Sequence, residues 1–252
     1  MRRFDSKVIV ITGAGSGFGA AMVERFQNEG GRIIAADINA ANLEKLIDTA
    51  EGKVTSHICD VSIAVEVKAM IESVIQEFGR IDVLINNAGF SHLSGKPWEL
   101  DETEYDRVFA TNTKGVWLGV KYVVPHMIQA GGGVILNTAS IGAVAPRPGV
   151  TVYNATKGAV MTMTMGLAVD LARYGIRVNA MNPVAADTGF MKTALGTDEL
   201  PEANRNALIK GIPLRRLTEP QDVAAAAAFL ASEDASFLTG VCLPIDGGRS
   251  IS

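Results

Sequence analysis

Short runs of β-branched and aliphatic residues recur along the chain, each followed by a stretch with helical character. The runs are VIVI at 8–11, RIIAAD at 32–37, KVTSHI at 53–58, IDVLIN at 81–86, GVILNT at 133–138, IRVNAM at 176–181 and VCLPI at 241–245. Their hydrophobicity is continuous rather than alternating, which is the pattern of strands covered on both faces. The intervening stretches predict helices over 17–30, 40–50, 63–79, 101–128, 151–174 and 220–232, with Asp101 and Glu104 in a box-like capping spacing before the fourth. Alternation of strand and helix requires parallel pairing through helical crossovers. The expected fold class is therefore α/β: a doubly wound sheet of about seven parallel strands with helices on both faces, spanning 1–252 as one domain.

The pattern loosens between 187 and 213, in DTGFMKTALGTDELPEANRNALIKGIP, where apolar residues are interrupted by Gly, Pro and charges. Ligands of open α/β sheets bind beyond the carboxyl ends of the strands, and this segment follows the sixth strand. It is expected to be a substrate lid, with a plain surface excursion as the alternative. The chain has no internal repeat, low-complexity tract or linker.

Composition narrows the function classes. A net charge of -4 without long runs of one sign leaves no footprint for nucleic acid or an anionic membrane surface, so the expected partner is a small molecule. The two cysteines, Cys59 and Cys242, lie far apart in apolar runs and read as buried thiols of a reducing compartment. No Cys/His spacing suggests a metal. The start MRRFDSKVIVI is read as a first strand, because its apolar run is too short for a signal core, and VAAAAAFLA at 223–231 is about half of what a bilayer requires. The cytoplasm is the expected location.

ITGAGSGFGAAM at 11–22 follows the first strand and opens a helix. Gly13, Gly17 and Gly19 carry no Cβ, so the backbone turns tightly and a pyrophosphate can approach the positive end of the helix dipole. This makes the sheet Rossmann-like. Asp37 closes the second strand, 18 residues after Gly19. A carboxylate there accepts hydrogen bonds from ribose hydroxyls and repels a 2′-phosphate, and Ala14, Gly15 and Ser16 add no cation to offset that repulsion. The expected cofactor is NAD. A helix cap is the alternative reading of Asp37.

In VYNATKGAV at 152–160, Tyr153 and Lys157 stand at i and i+4, one above the other on a helix. A cation near a phenol of pKa about 10 lowers that pKa and brings proton transfer within reach of neutral pH. Taken alone, the pair also fits an ordinary surface helix.

Together, Thr12-Gly13-x-x-x-Gly17-x-Gly19, Asn86-Asn87-Ala88-Gly89, Asn112, Ser140 and Tyr153-x-x-x-Lys157 stand in one order that resembles the short-chain dehydrogenase/reductase family. The resemblance runs from the first strand to IDGG at 245–248. It implies Tyr153 as general acid/base, Lys157 as the group that lowers its pKa and binds nicotinamide ribose, and Ser140 as the holder of the substrate oxygen. Asn112 would anchor a water linking Lys157 to solvent. It places Asp60 and Val61 at the adenine, Asn87 on the neighbouring ribose side, and Thr188 at the carboxamide. Ser16, Phe18, Ile38, Ala88, Gly89 and Pro183 complete the expected NAD site. The bland alternatives are a loop cap for Ser140 and a mended helix bend for Asn112. Two departures stand out: Pro183-Val184 replaces the family's Pro-Gly, and Phe18 sits where a smaller aliphatic residue is usual.

Expected pocket walls are Phe90, His92 and Leu93, Ala145 to Val150, and Ala185, Met191 and Leu195, mostly apolar. His92 reads as a solvated loop histidine, with a hydrogen bond to a polar substituent as the alternative, and Arg147, between two prolines, as a side chain facing water, with an acidic substrate group as the alternative. Trp98, Trp117, Met161, Met163 and Met165 fit core packing or subunit contacts. The family's habit implies a homotetramer built partly on the helices at 101–128 and 151–174. The expected activity is NAD-dependent interconversion of a secondary alcohol and a ketone, with a 3-oxoacyl thioester reductase and a non-catalytic nucleotide sensor as alternatives.

Overall fold

The computed structural model describes residues 2–50, 54–187, 189–197 and 199–252, with the side chains of Lys192 and Thr193 outside that set. Seven parallel strands form one sheet: β1 (Val8–Thr12), β2 (Arg32–Asp37), β3 (Val54–Ile58), β4 (Val83–Asn86), β5 (Gly133–Thr138), β6 (Ile176–Pro183) and β7 (Cys242–Ile245). Their spatial order is β3-β2-β1-β4-β5-β6-β7. All seven match the hydrophobic runs to within two residues at each end.

The continuous runs are explained by cover on both sides. On one face α1 (Gly17–Asn28) and α9 (Pro220–Ala231) pack over Ile9, Ile11, Ile33 and Leu136, with Phe4 and Phe26 in tilted contact at 4.6 Å between ring centroids. On the other, α3 (Ala64–Phe78), α5 (Gly115–Gln129) and α6 (Thr151–Leu171) cover Val8, Val10, Ile34, Leu84 and Ile135. Side chains of one strand alternate between the two layers, so every second residue of β1 belongs to a different core.

The strand order reverses between β1 and β4, which opens a crevice beyond their carboxyl ends. Three loops meet there. Thr12 Oγ1 accepts the backbone N–H groups of Asn87 and Ala88 at 3.0 and 3.1 Å, and Asn87 Nδ2 donates back to the Thr12 and Gly13 carbonyls. A buried polar ladder fixes α6 against the sheet: Asn86 Nδ2 donates to Asn137 Oδ1 at 2.9 Å, and Asn137 Nδ2 donates to Thr164 Oγ1 at 2.9 Å. In a low-dielectric interior such a satisfied chain specifies one position of the helix.

The sequence pattern and the structure part in two places. The helix expected over 101–128 is α4 (Glu102–Phe109), a π-turn over Ala110–Lys114 and then α5. Residues 187–213 contain two helices, α7 (Gly189–Leu195) and α8 (Glu202–Lys210), separated by 196–201. The remaining helix is α2 (Ala40–Thr49), capped by Asn39 Oδ1, which accepts from Asn42 N at 3.1 Å.

Candidate active site

A cavity of about 640 Å³ lies along the carboxyl ends of the strands. It brings together Gly13, Ser16, Gly17, Phe18, Asp37, Ile38, Asp60, Val61, Asn87, Ala88, Gly89, Ser140, Tyr153, Lys157 and Pro183, all of them expected site residues. Gly19 and Asn112 stand behind its wall. Thr188 lies outside the described residues.

The end of the cavity near β1 and β2 suits a dinucleotide. Gly13 has φ +62°, and a Cβ there would lie 2.8 Å from the Ala88 Cα, so only glycine fits the turn. Gly19 also admits no side chain, because its Cβ would lie 2.0 Å from the Gly13 carbonyl oxygen. At the start of α1, Ser16 makes no side-chain cap and the first turn carries no acidic residue, which leaves the positive helix end to an anion. Asp37 Oδ2 accepts the Gly15 N–H and Oδ1 the Asn39 N–H, each at 2.9 Å, so the carboxylate is fixed with lone pairs to spare for hydroxyl donors.

At the other end, Tyr153 and Lys157 are buried on the first turns of α6. Lys157 Nζ donates to the Thr138 carbonyl at 2.7 Å and lies 5.8 Å from the Tyr153 ring centroid. Ser140 Oγ accepts the Gly142 N–H at 3.0 Å, capping a short 3₁₀ turn while its hydroxyl remains beside Tyr153. Asn112 sits at the π-turn, its Oδ1 accepting from Phe90 N at 3.0 Å and its Nδ2 donating to the Phe90 carbonyl and to Thr156 Oγ1. The extra residue in that turn is repaid by three bonds joining α5, the loop after β4 and α6.

A family profile described as enoyl-(acyl carrier protein) reductase matches residues 13–250. The 4-formylbenzenesulfonate dehydrogenase of Comamonas testosteroni is 41% identical over 250 residues, 98% of this chain and 99% of that protein. The chain belongs to the short-chain dehydrogenase/reductase family. The 3-oxoacyl-(acyl-carrier-protein) reductase of Thermotoga maritima is 41% identical over 252 residues, 99% of this chain and 100% of that one. Among solved structures, the 3-ketoacyl-(acyl-carrier-protein) reductase of Brucella melitensis complexed with NADH superimposes with a TM-score of 0.93 at 40% identity, covering 98% of this chain and 99% of that chain.

Within this short-chain dehydrogenase/reductase frame the geometry corrects several expectations. Burial pushes the Tyr153 hydroxyl above its ordinary pKa; contact with Ser140 and the positive field of Arg147 pull it back without overcoming burial. The Lys157 ammonium lies 5.8 Å from the Tyr153 ring centroid and donates to the Thr138 carbonyl. Burial brings the Lys157 ammonium itself down to about 8. Arg147 does not face water: it is half-buried in the cavity wall. His92 is buried at 4% exposure, with Nδ1 2.8 Å from the Leu93 carbonyl oxygen, and does not line the cavity. Leu93 is exposed and also lies off it.

Phe90, Ala145, Ala185 and Met191 line the main cavity as expected, whereas Pro148, Val150 and Leu195 line a smaller one of about 200 Å³ beside it. Val184 replaces glycine without strain, since among the described residues only Ser6 and Arg215 adopt positive φ without being glycine. Phe18 fills its place by lining the cavity while packing on the core. Residues that the sequence did not single out are Thr138, Asn154 and Phe190, the last in tilted contact with the Tyr153 ring at 5.3 Å. Phe190 sits on α7, and no strand or glycine signal marked that helix. Among the described residues no group of three or more His, Cys, Asp or Glu could hold a metal ion, and no helix is long and apolar enough to cross a membrane.

Proposed function

We propose that this chain is an NAD-dependent oxidoreductase that interconverts a secondary alcohol and a ketone, with Tyr153 as the proton donor and acceptor at the substrate oxygen. The observation that carries the reading is the convergence of Tyr153, Ser140 and Lys157 on one wall of a cavity whose other end is the glycine loop and Asp37. Bound NAD supplies the hydride acceptor, and NADH the donor. Gly13, Gly17 and the start of α1 would hold its pyrophosphate, Asp37 and Ile38 its adenosine ribose, Asp60 and Val61 its adenine with Asn87 on the neighbouring ribose side, and Ala88, Gly89 and Pro183 its nicotinamide half; Thr188, outside the described residues, is read as the carboxamide partner. Ser140 fixes the substrate oxygen, Tyr153 exchanges a proton with it, and Lys157 holds the ribose and relays protons toward the water that Asn112 anchors.

Asp37 sets the cofactor preference. Its fixed carboxylate favours two ribose hydroxyls and repels a 2′-phosphate, so kcat/KM with NADH should exceed that with NADPH by about 10²-fold or more. Initial rates with the two coenzymes over a panel of ketones test it. Equal rates would refute the assignment of Asp37.

We read the segment at 187–213 as the substrate lid, a reading supported by Phe190 and Met191 of α7 and Ala207 and Leu208 of α8, which line the cavity. A 3-oxoacyl thioester reductase remains the second reading, favoured by the Thermotoga relative. NAD preference does not separate the two, because the Brucella protein of that name is itself complexed with NADH. Rates with acetoacetyl-CoA against rates with small ketones do. The protein is also read as a homotetramer packed partly through α5 and α6, whose outer faces carry the exposed Trp117, Met165 and Val169. Sedimentation equilibrium gives the mass that decides this.

A further inference from the structure

The catalytic end of the cavity holds a cation without a partner. Arg147 lies in the wall, and among the described residues no carboxylate comes within ion-pair distance of it. Among the described residues its two terminal nitrogens meet the Met191 sulfur alone, at 3.9 Å each. Withdrawing a guanidinium from water, even in part, is costly, and arginines so placed are normally paired. Here burial lowers its pKa while the nearby Tyr153 works against that, so its charge bears directly on the reacting end.

Among the described residues no other group of the cavity neutralises it. The carboxylates that line the cavity are Asp37 and Asp60, at the ends of β2 and β3 on the far side of the sheet order from Ser140 and Tyr153. Asp37 accepts two backbone N–H groups and Asp60 Oδ1 accepts the Ser62 N–H and hydroxyl, and neither forms an ion pair with Arg147.

The arginine is also held in place. Its carbonyl accepts from Asn154 Nδ2 at 3.0 Å, and Asn154 follows Tyr153 on α6. Gly149, at φ +80°, lets the loop press against Ser94, where a Cβ would lie 2.2 Å from the Ser94 Oγ, and the Gly149 carbonyl accepts the Gly95 N–H at 3.0 Å. The guanidinium thus stands at the junction of the main cavity with the smaller apolar one formed by Pro148, Val150, Ala194 and Leu195.

We infer that Arg147 is the recognition group for an anionic substituent of the substrate, a carboxylate or sulfonate carried on an apolar body. The inference rests on the oxidoreductase reading for the word substrate, though not for the anion site. The flat fork of Arg matches such an anion through two hydrogen bonds, and a substituent anchored there has a fixed register to Tyr153, which lines the same cavity. Apolar walls around the fork strengthen the pair by excluding water.

The test uses inert probes, so that binding is read without turnover. 4-Isopropylbenzoate and 4-isopropylbenzamide share a shape and differ in charge. Calorimetric titration into the full-length protein saturated with NADH is expected to give the benzoate at least about tenfold tighter binding than the amide. R147Q should remove that preference, R147K should keep part of it, and unchanged NADH affinity in both shows that they fold. Equal affinities in the wild type, no binding of the benzoate, or a preference that survives R147Q would each overturn the inference. An Arg147-dependent preference in a protein that reduces no ketone would instead overturn the oxidoreductase reading and leave the anion site standing.

Discussion

Replacing Tyr153 by Phe is expected to lower kcat by a factor on the order of 10² to 10⁴ while leaving NADH affinity within a few-fold. The substitution removes one oxygen. The ring keeps its tilted contact with Phe190 and its place on α6, so the cavity walls and the glycine loop stay as they are. What is lost is the hydroxyl beside Ser140 that gives a proton to a ketone oxygen or takes one from an alcohol. Because burial holds that hydroxyl above its ordinary pKa, it is a phenol at neutral pH and therefore poised as the acid of the reducing direction. The oxidising direction requires the phenolate, so its rate in the wild type should climb with pH more steeply than the reducing rate does. Single-turnover absorbance of NADH in both directions, on wild type and Y153F, reads both effects. A variant that kept a tenth or more of wild-type turnover would show that another group moves the proton.

The sheet was legible because its signals are local and redundant: continuous β-branched runs, glycines at a strand–helix turn, an acidic residue at the next strand end. The glycine pattern, Asp37 and the Tyr153–Lys157 spacing all fell on one cavity for that reason. Features that depend on what packs against what were not readable. α7 and α8 are short, and Gly, Pro and charged residues break the apolar pattern of the segment around them, so periodicity does not define them. The π-turn at Ala110–Lys114 leaves the helical pattern intact by eye, because its one extra residue is noticed only when Asn112 is seen bonding to Phe90 and Thr156. His92 and Arg147 were read by residue type as surface groups, yet the loop after β4 and the loop before α6 fold inward over them. The i, i+4 spacing placed Lys157 beside Tyr153 but could not reveal that its ammonium is turned to the Thr138 carbonyl, or that desolvation outweighs the neighbouring charge at the phenol.

Lys157 carries the second large effect, and its sign differs between activity and stability. Lys157→Met should cut kcat by a factor on the order of 10² or more, since the ribose loses its cationic donor and the proton path its link. Stability should not fall with it at neutral pH. The ammonium is only 3% exposed, makes one hydrogen bond and faces no carboxylate among the described residues, and burial lowers its pKa from 10.5 to about 8. That shift corresponds to a native-state penalty on the order of 3 kcal/mol. Below pH 8 the lysine is protonated in both folded and unfolded chains, and the penalty is present in full. Between pH 8 and 10.5 the folded chain gives up the proton first and the penalty fades; above that range it is gone. Methionine has nothing to titrate and fills similar volume, though it leaves the Thr138 carbonyl without its donor, which costs about 1–3 kcal/mol. The variant should therefore unfold at or above the wild-type temperature at pH 7, and lose that advantage as pH approaches 10. Calorimetric melting of both proteins at pH 7 and pH 10 provides the comparison. A variant less stable at pH 7 by the same margin as at pH 10 would mean that the buried ammonium is no burden on the fold, and that its hydrogen bond to Thr138 more than compensates for its desolvation.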